Sequence, residues 1–441
     1  MLHRIPRRAL LAGLAAAPAR LCAAAAQAVV KGVDPQAYLS GRRLYSDLVL
    51  YSNMGDHRTA TAVDRKTAEW LAGRLQGAGF KVESHPFFVR QFFPEKVTLA
   101  VEGKRVESFP LWPVRATGPV PLPAPLAPAA AQGPWTALKN CIALVTFPRA
   151  ASVNDESGHA ELIAGLASAG AVAVIGVTPG ETGELVALNS KVGGEPWPVP
   201  VAIAGLRDEP MLAAAAGRGA TAELLIHGRE DPRARAVEVV GRLDRGGRLV
   251  VVSTPYSGWF RCAGERGPGI ALWLALARWA GRPNARTSYC LVASSGHELD
   301  NEGIRLFLQE HAPKPDQVHC WLHLGAGIAT FDWETGPGGF RRLDRPSSRV
   351  RLMCNRPDLL SVLTRNFALL RHLKPELTLQ PVGELRLMVQ QGYRAFGLAG
   401  PNAYFHAPGD LPERGTAPEL LEPVAATLTR TLLQIEAAAA K

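Results

Sequence analysis

Ala68, Leu71, Ala72 and Leu75 recur at three- and four-residue steps, which predicts a helix stopped by Gly77 and Gly79. Residues 80–89 then alternate as a strand does. Upstream, Asp34-Pro35 opens a helix carrying Tyr38, Leu39, Leu44, Leu48 and Val49. Residues 116–134 are dominated by Pro and Ala and show no period, so they predict a linker or an extended crossing. A second unit follows. It has strands at 141–147, 172–177, 198–204 and 221–226, and helices at 161–169 and 211–216. Residues 237–243 and 248–253 resume the first pattern around a turn at Arg245-Gly246-Gly247. Residues 270–280 are apolar nearly all round, which marks a buried helix. Strands at 288–294 and 318–323 and helices at 302–309 and 358–373 come next. A strand ending at 397–399 and a helix over 417–438 close the chain.

Strands alternating with helices predict an α/β fold with a mixed, mainly parallel sheet sandwiched by helices, and a smaller α/β unit inserted in it. At 441 residues the chain is long enough for two such units. The boundaries read as 1–28 for an export signal, 29–94 with 236–441 for the main unit, and 95–235 for the insert.

The signal rests on Arg7-Arg8 before the apolar run 9–17, with Ala26-Gln27-Ala28 as a cleavage site. The paired arginines favour the twin-arginine route, to the periplasm or beyond. No other stretch is long and apolar enough to span a bilayer. Loss of Arg4, Arg7, Arg8 and Arg20 with the signal lowers the formal charge of +10 by four. No Lys/Arg cluster interleaved with aromatics remains, so nucleic acid is not an expected partner. Cys141, Cys262, Cys290, Cys320 and Cys354 follow the signal with no C-x-x-C and no disulfide framework.

Five polar residues fall beyond expected strand ends or in adjoining loops: Glu265, His297, Glu298, His323 and His406. Open α/β sheets place their chemistry at such tips, and imidazole with carboxylate is a zinc-type donor set. Singly, each allows a structural role. Glu265 could pair with Arg266 or Arg261, His297 and Glu298 could cap the helix at 302, and His323 could be a satisfied core residue. His406 and Asp410 could shape the Pro408-Gly409 turn. His297-Glu298 begins like H-E-x-x-H, but Asn301 replaces the second His. Ser294-Ser295-Gly296 lacks the G-x-S-x-G frame. Cys262 beside His297 would be a further nucleophilic arrangement.

Asp56-His57-Arg58-Thr59 and the segments 248–269, 291–303, 318–325 and 397–410 are similar, in order, to the secreted zinc aminopeptidases, whose relatives include glutaminyl cyclase. The run Phe405-His406-Ala407-Pro408-Gly409-Asp410 resembles that family's Y-H-x-P-x-D. Residues 95–235 resemble the protease-associated domain often inserted in its members. The resemblance implies a zinc-exopeptidase-like fold, with Glu265, Glu298 and His406 as ligands of one zinc ion and His323 as a fourth. Pro255 and Ser257 stand where a second ion's His and the Asp after it would be. His297 stands at the general-base position. The function implied is an exported, metal-dependent, aminopeptidase-like hydrolase of peptide or small amide substrates. The alternative is a catalytically inactive peptidase-like binding protein.

Overall fold

The computed structural model describes residues 38–439 apart from 137, 149–155, 192, 247, 283–285 and 337–338. The export segment 1–28 and the Asp34-Pro35 helix start lie outside these residues. The first helix described is Gly41–Ser52, whose N-cap Ser40 accepts a hydrogen bond from the Arg43 amide.

Four strands at the centre of the main sheet run parallel: Ala395–Ala399, Val318–Leu324, Leu249–Pro255 and Ser288–Ser294, in that spatial order. Nearly every residue in them is buried, as expected of parallel strands covered on both faces. One face is covered by the helix Gly267–Ala280, of which every residue but Arg278 is buried. Its all-round apolar sequence therefore reads correctly. Antiparallel strands flank the centre, Arg351–Cys354 on one side and Thr221–Leu243 on the other.

Two long strands carry the sheet onward. Lys81–Val101 and Thr221–Leu243 pair antiparallel along almost their whole length. The sheet then continues through Leu122–Pro128, Ile142–Thr146, Ala173–Thr178, Val201–Gly205 and Ser108–Pro110. These strands have a separate apolar core centred on residues such as Ile142, Val174, Ile175 and Ile203.

Three readings of the sequence are corrected. The linker expected at 116–134 contains the strand Leu122–Pro128. Prolines at 121, 123 and 125 alternate there with Leu122, Ala124 and Leu126, a period of two masked by the proline content. The strands expected at 221–226 and 237–243 are one continuous strand. The helix expected over 358–373 stops at Asn366, and Leu369 beyond it is 87% exposed.

Candidate functional site

The carboxyl ends of the four parallel strands face a cleft of about 490 Å³. Arg266, His297, His323 and Glu384 line it on the main-sheet side. Residues 179–182, Val186 and Asn189 line it from the second unit, and the 399–403 loop closes it.

His297 lies just past the strand Ser288–Ser294. Its Nδ1 is 2.8 Å from Oε1 of Glu384, the N-cap residue of the helix Leu385–Gln390. Burial would raise the Glu384 carboxyl, but the His297 hydrogen bond and the nearby positive charges bring it below its usual range. Burial and the Arg266 charge lower His297. The pair is thus an ionised Glu384 accepting from Nδ1–H of a neutral imidazole, whose Nε2 keeps its lone pair. His297 is the partly exposed member, and Glu384 is 1% exposed.

His323 sits near the end of Val318–Leu324. Ser253 Oγ accepts from the Trp321 indole at 2.8 Å, which leaves its own proton for His323 Nδ1 at 3.0 Å. Burial drops His323 to about 4, so it is neutral.

Glu265 and His406 meet. His406 Nδ1 donates to the Ala187 carbonyl at 2.8 Å, and its Nε2 lies 3.3 Å from Glu265 Oε1. Arg266 Nη2 lies 2.8 Å from that same Glu265 oxygen. Burial would raise Glu265, but Arg266 and His406 hold it down at about 2. Burial works against the Arg266 charge, and Glu265 overcomes it. Arg266 Nε donates to the Ser257 carbonyl at 2.9 Å and Nη2 is ion-paired with Glu265, while Nη1 has no hydrogen-bond acceptor among the described residues. Asp410 accepts from the Gly264 and Glu265 amides at 2.8 and 2.9 Å, fixing the turn that presents Glu265. Burial and the Glu265 charge push Asp410 up to about 7.

Glu298 belongs to a different set of contacts. Its Oε1 accepts from the Thr59 amide and hydroxyl, both at 2.6 Å, and its Oε2 accepts from Ser257 Oγ at 2.7 Å. Non-glycine residues in the left-handed region flank these groups: Ala60, Cys262, Asp300, Asn301 and His406. Such backbone is held only where its surroundings over-determine it.

The residues expected to hold zinc therefore divide. His406 is placed as a ligand would be, with Nδ1 committed to a carbonyl and Nε2 turned to a carboxylate. Glu265 is ion-paired with Arg266, although neither of its oxygens accepts a hydrogen bond, Glu298 accepts from three donors, and His323 is engaged with Ser253. The Pro255 side chain has no ligand atom. Among the described residues no group of three or more His, Cys, Asp or Glu side chains converges as a metal site. As placed, the donor set does not fit zinc.

Cys262 donates to the Phe260 carbonyl at 3.2 Å, and burial pushes its thiol well above the ordinary range. A buried thiol of that kind is inert, which removes it as a nucleophile. All five described cysteines are free.

Sequence reasoning did not assign a role to Glu384, and it offered Arg266 only as a partner for Glu265, a contact the structure contains. Glu384 sits 87 residues from His297, with only Gly383 before it as a signal of a turn. Arg266 is adjacent to Glu265 and 1% exposed. The chemical signal available was a charged residue opening an otherwise apolar stretch, residues 267–280.

No protein-family model matches the chain, and no curated protein matches it in sequence. Solved structures do match it in fold. An M28 peptidase precursor from Shewanella amazonensis superposes with a TM-score of 0.70 at 15% identity, covering 95% of this chain and 96% of that one. A zinc aminopeptidase from Bacillus subtilis gives 0.66 at 16% identity, covering 90% and 95%. An aminopeptidase from Aneurinibacillus sp. strain AM-1 gives 0.61 at 16%, covering 91% and 95%. The chain shares its fold with these peptidases. These superpositions cover 90–95% of the chain, and the mainly parallel sheet flanked by helices that the sequence led us to expect is the one observed.

Proposed function

We propose that the protein is an aminopeptidase-like hydrolase of amide or peptide bonds with a remodelled site, in which His297 moves the proton and Glu384 orients its ring. The observation that carries this reading is the 2.8 Å His297–Glu384 contact in the wall of the cleft, beside the buried Arg266. The peptidase fold of the neighbours supports the reaction class by likeness.

The chemistry follows from the placement. His297 Nε2 takes a proton from water as the water oxygen bonds to the acyl carbon. Glu384 holds the ring's orientation and steadies the imidazolium that forms. Arg266, whose Nη1 has no acceptor among the described residues, faces the acyl oxygen as it becomes negative. The adduct then collapses, His297 returns the proton to the departing nitrogen, and the C–N bond breaks. Residues 179–182 and the 399–403 loop enclose a peptide-sized ligand and limit water around it.

The test is release of free amine from a panel of amides and peptides by the full chain. Turnover should fall by about a hundred- to ten-thousand-fold in His297→Ala, the usual range for loss of a general base. Full turnover in that variant would refute the assignment. The second reading, a binding protein that kept the fold without turnover, is favoured by the 1% exposure of Arg266, His323 and Glu384. Panel members that bind wild type and are never cleaved would establish it.

A further inference from the structure

The positive charge in the wall of the cleft is supplied by the chain itself. Glu265 and His406 are the two expected zinc ligands that come together, with Glu265 Oε1 3.3 Å from His406 Nε2. The cation on that oxygen is Arg266, with Nη2 at 2.8 Å. A guanidinium keeps its charge at any working pH. A divalent ion entering between Glu265 and His406 would share one carboxylate with that fixed charge in a buried setting, where like charges repel strongly.

Ser257 secures the arrangement from both of its ends. Its carbonyl accepts from Arg266 Nε at 2.9 Å, and its hydroxyl donates to Glu298 Oε2 at 2.7 Å. One residue therefore anchors the guanidinium and occupies a lone pair of the third expected ligand. Thr59 occupies the other Glu298 oxygen twice. Position 255, the last residue of its strand, is a proline, whose side chain has no ligand atom.

We infer that Arg266 replaces the metal ion: its guanidinium is the built-in cation of this cleft, it neutralises Glu265, and it excludes zinc from the Glu265–His406 pair. This inference does not depend on whether the cleft turns substrate over.

The experiment is calorimetric titration of the untagged full chain with zinc chloride, together with metal content by plasma emission. Wild type should take up no stoichiometric zinc. Arg266→Gln removes the charge and keeps a hydrogen-bonding side chain, and it should gain one zinc per chain. Adding His406→Ala to Arg266→Gln should abolish the gain. Stoichiometric zinc on wild type that is lost in His406→Ala would overturn the inference. So would a folded Arg266→Gln that gains no zinc. Should Arg266→Gln fail to fold, zinc-soaked wild-type crystals decide by anomalous scattering. A peak between Glu265 and His406 overturns the inference, and no peak there supports it.

Discussion

His297 is a neutral imidazole because burial and the Arg266 charge both work against its protonation. Turnover by this residue needs the neutral form, which persists as pH falls until its lowered pKa is reached. The acid limb of kcat/KM should therefore lie below the ordinary histidine value of about 6.5. A limb at or above that value would contradict the assignment. His57 offers a stability test of the same kind. It is buried, stacked on Tyr51, and held between Thr67 Oγ1 and the Tyr51 carbonyl, both at 3.0 Å. Burial lowers it to about 3. Its unfolded form protonates near 6.5, so its contribution is complete above that pH. The contribution is lost as pH drops toward the folded value, with a slope of up to about 1.4 kcal/mol per pH unit. His57→Gln should flatten the acid side of a stability–pH profile, and an unchanged profile would count against it. The sequence pointed to Glu265, His297, Glu298, His323 and His406 as candidates by type and position, but not to Glu384. It could not say which lone pairs were free, because that depends on Thr59 and Ser257 folding over Glu298 from distant segments.

Strand ends explain why the named residues share a cleft at all. The loop 295–301 and the helix start at Glu302 follow Ser288–Ser294, and the geometry there is tight. Gly296 N donates to Thr59 Oγ1 at 3.0 Å, and the same hydroxyl donates to Glu298. Thr59→Val would strand both the buried amide and one carboxylate lone pair, at a cost of about 1–3 kcal/mol. A lower urea midpoint at unchanged slope would show this, and an unchanged midpoint would not. Gly303 is required for a different reason. A Cβ there would fall 1.9 Å from Glu238 Oε1 and 2.3 Å from the Ser295 carbonyl. Gly303→Ala should lower the melting temperature clearly, while Gly73→Ala, with open space around it, should not. Periodicity read the buried helix Gly267–Ala280 and the parallel strands well, because both are continuous apolar runs. It misread Leu122–Pro128, where proline hid an alternating pattern, and it divided Thr221–Leu243, whose middle is polar and exposed.

Across the whole molecule, the second unit is joined to the main one by more than its two chain crossings. The strands Lys81–Val101 and Thr221–Leu243 run through both, and Ala187 and His406 exchange backbone and ring hydrogen bonds across the cleft. Ser190 N donates to the Glu298 carbonyl, and Trp112 packs 4.9 Å from Trp259. The two units should therefore unfold in one calorimetric transition, and two resolved transitions would contradict this. The sequence led us to expect two α/β units but gave no sign of these contacts, which depend on loop residues 184–190 that carry no periodic signal. The most direct measurement for the whole account is amide hydrolysis by the full chain in EDTA, wild type beside Glu384→Gln. The account predicts wild-type turnover that the chelator leaves unchanged and that Glu384→Gln lowers about a hundred-fold or more. Turnover abolished by EDTA, restored by zinc, and indifferent to Glu384→Gln would contradict it.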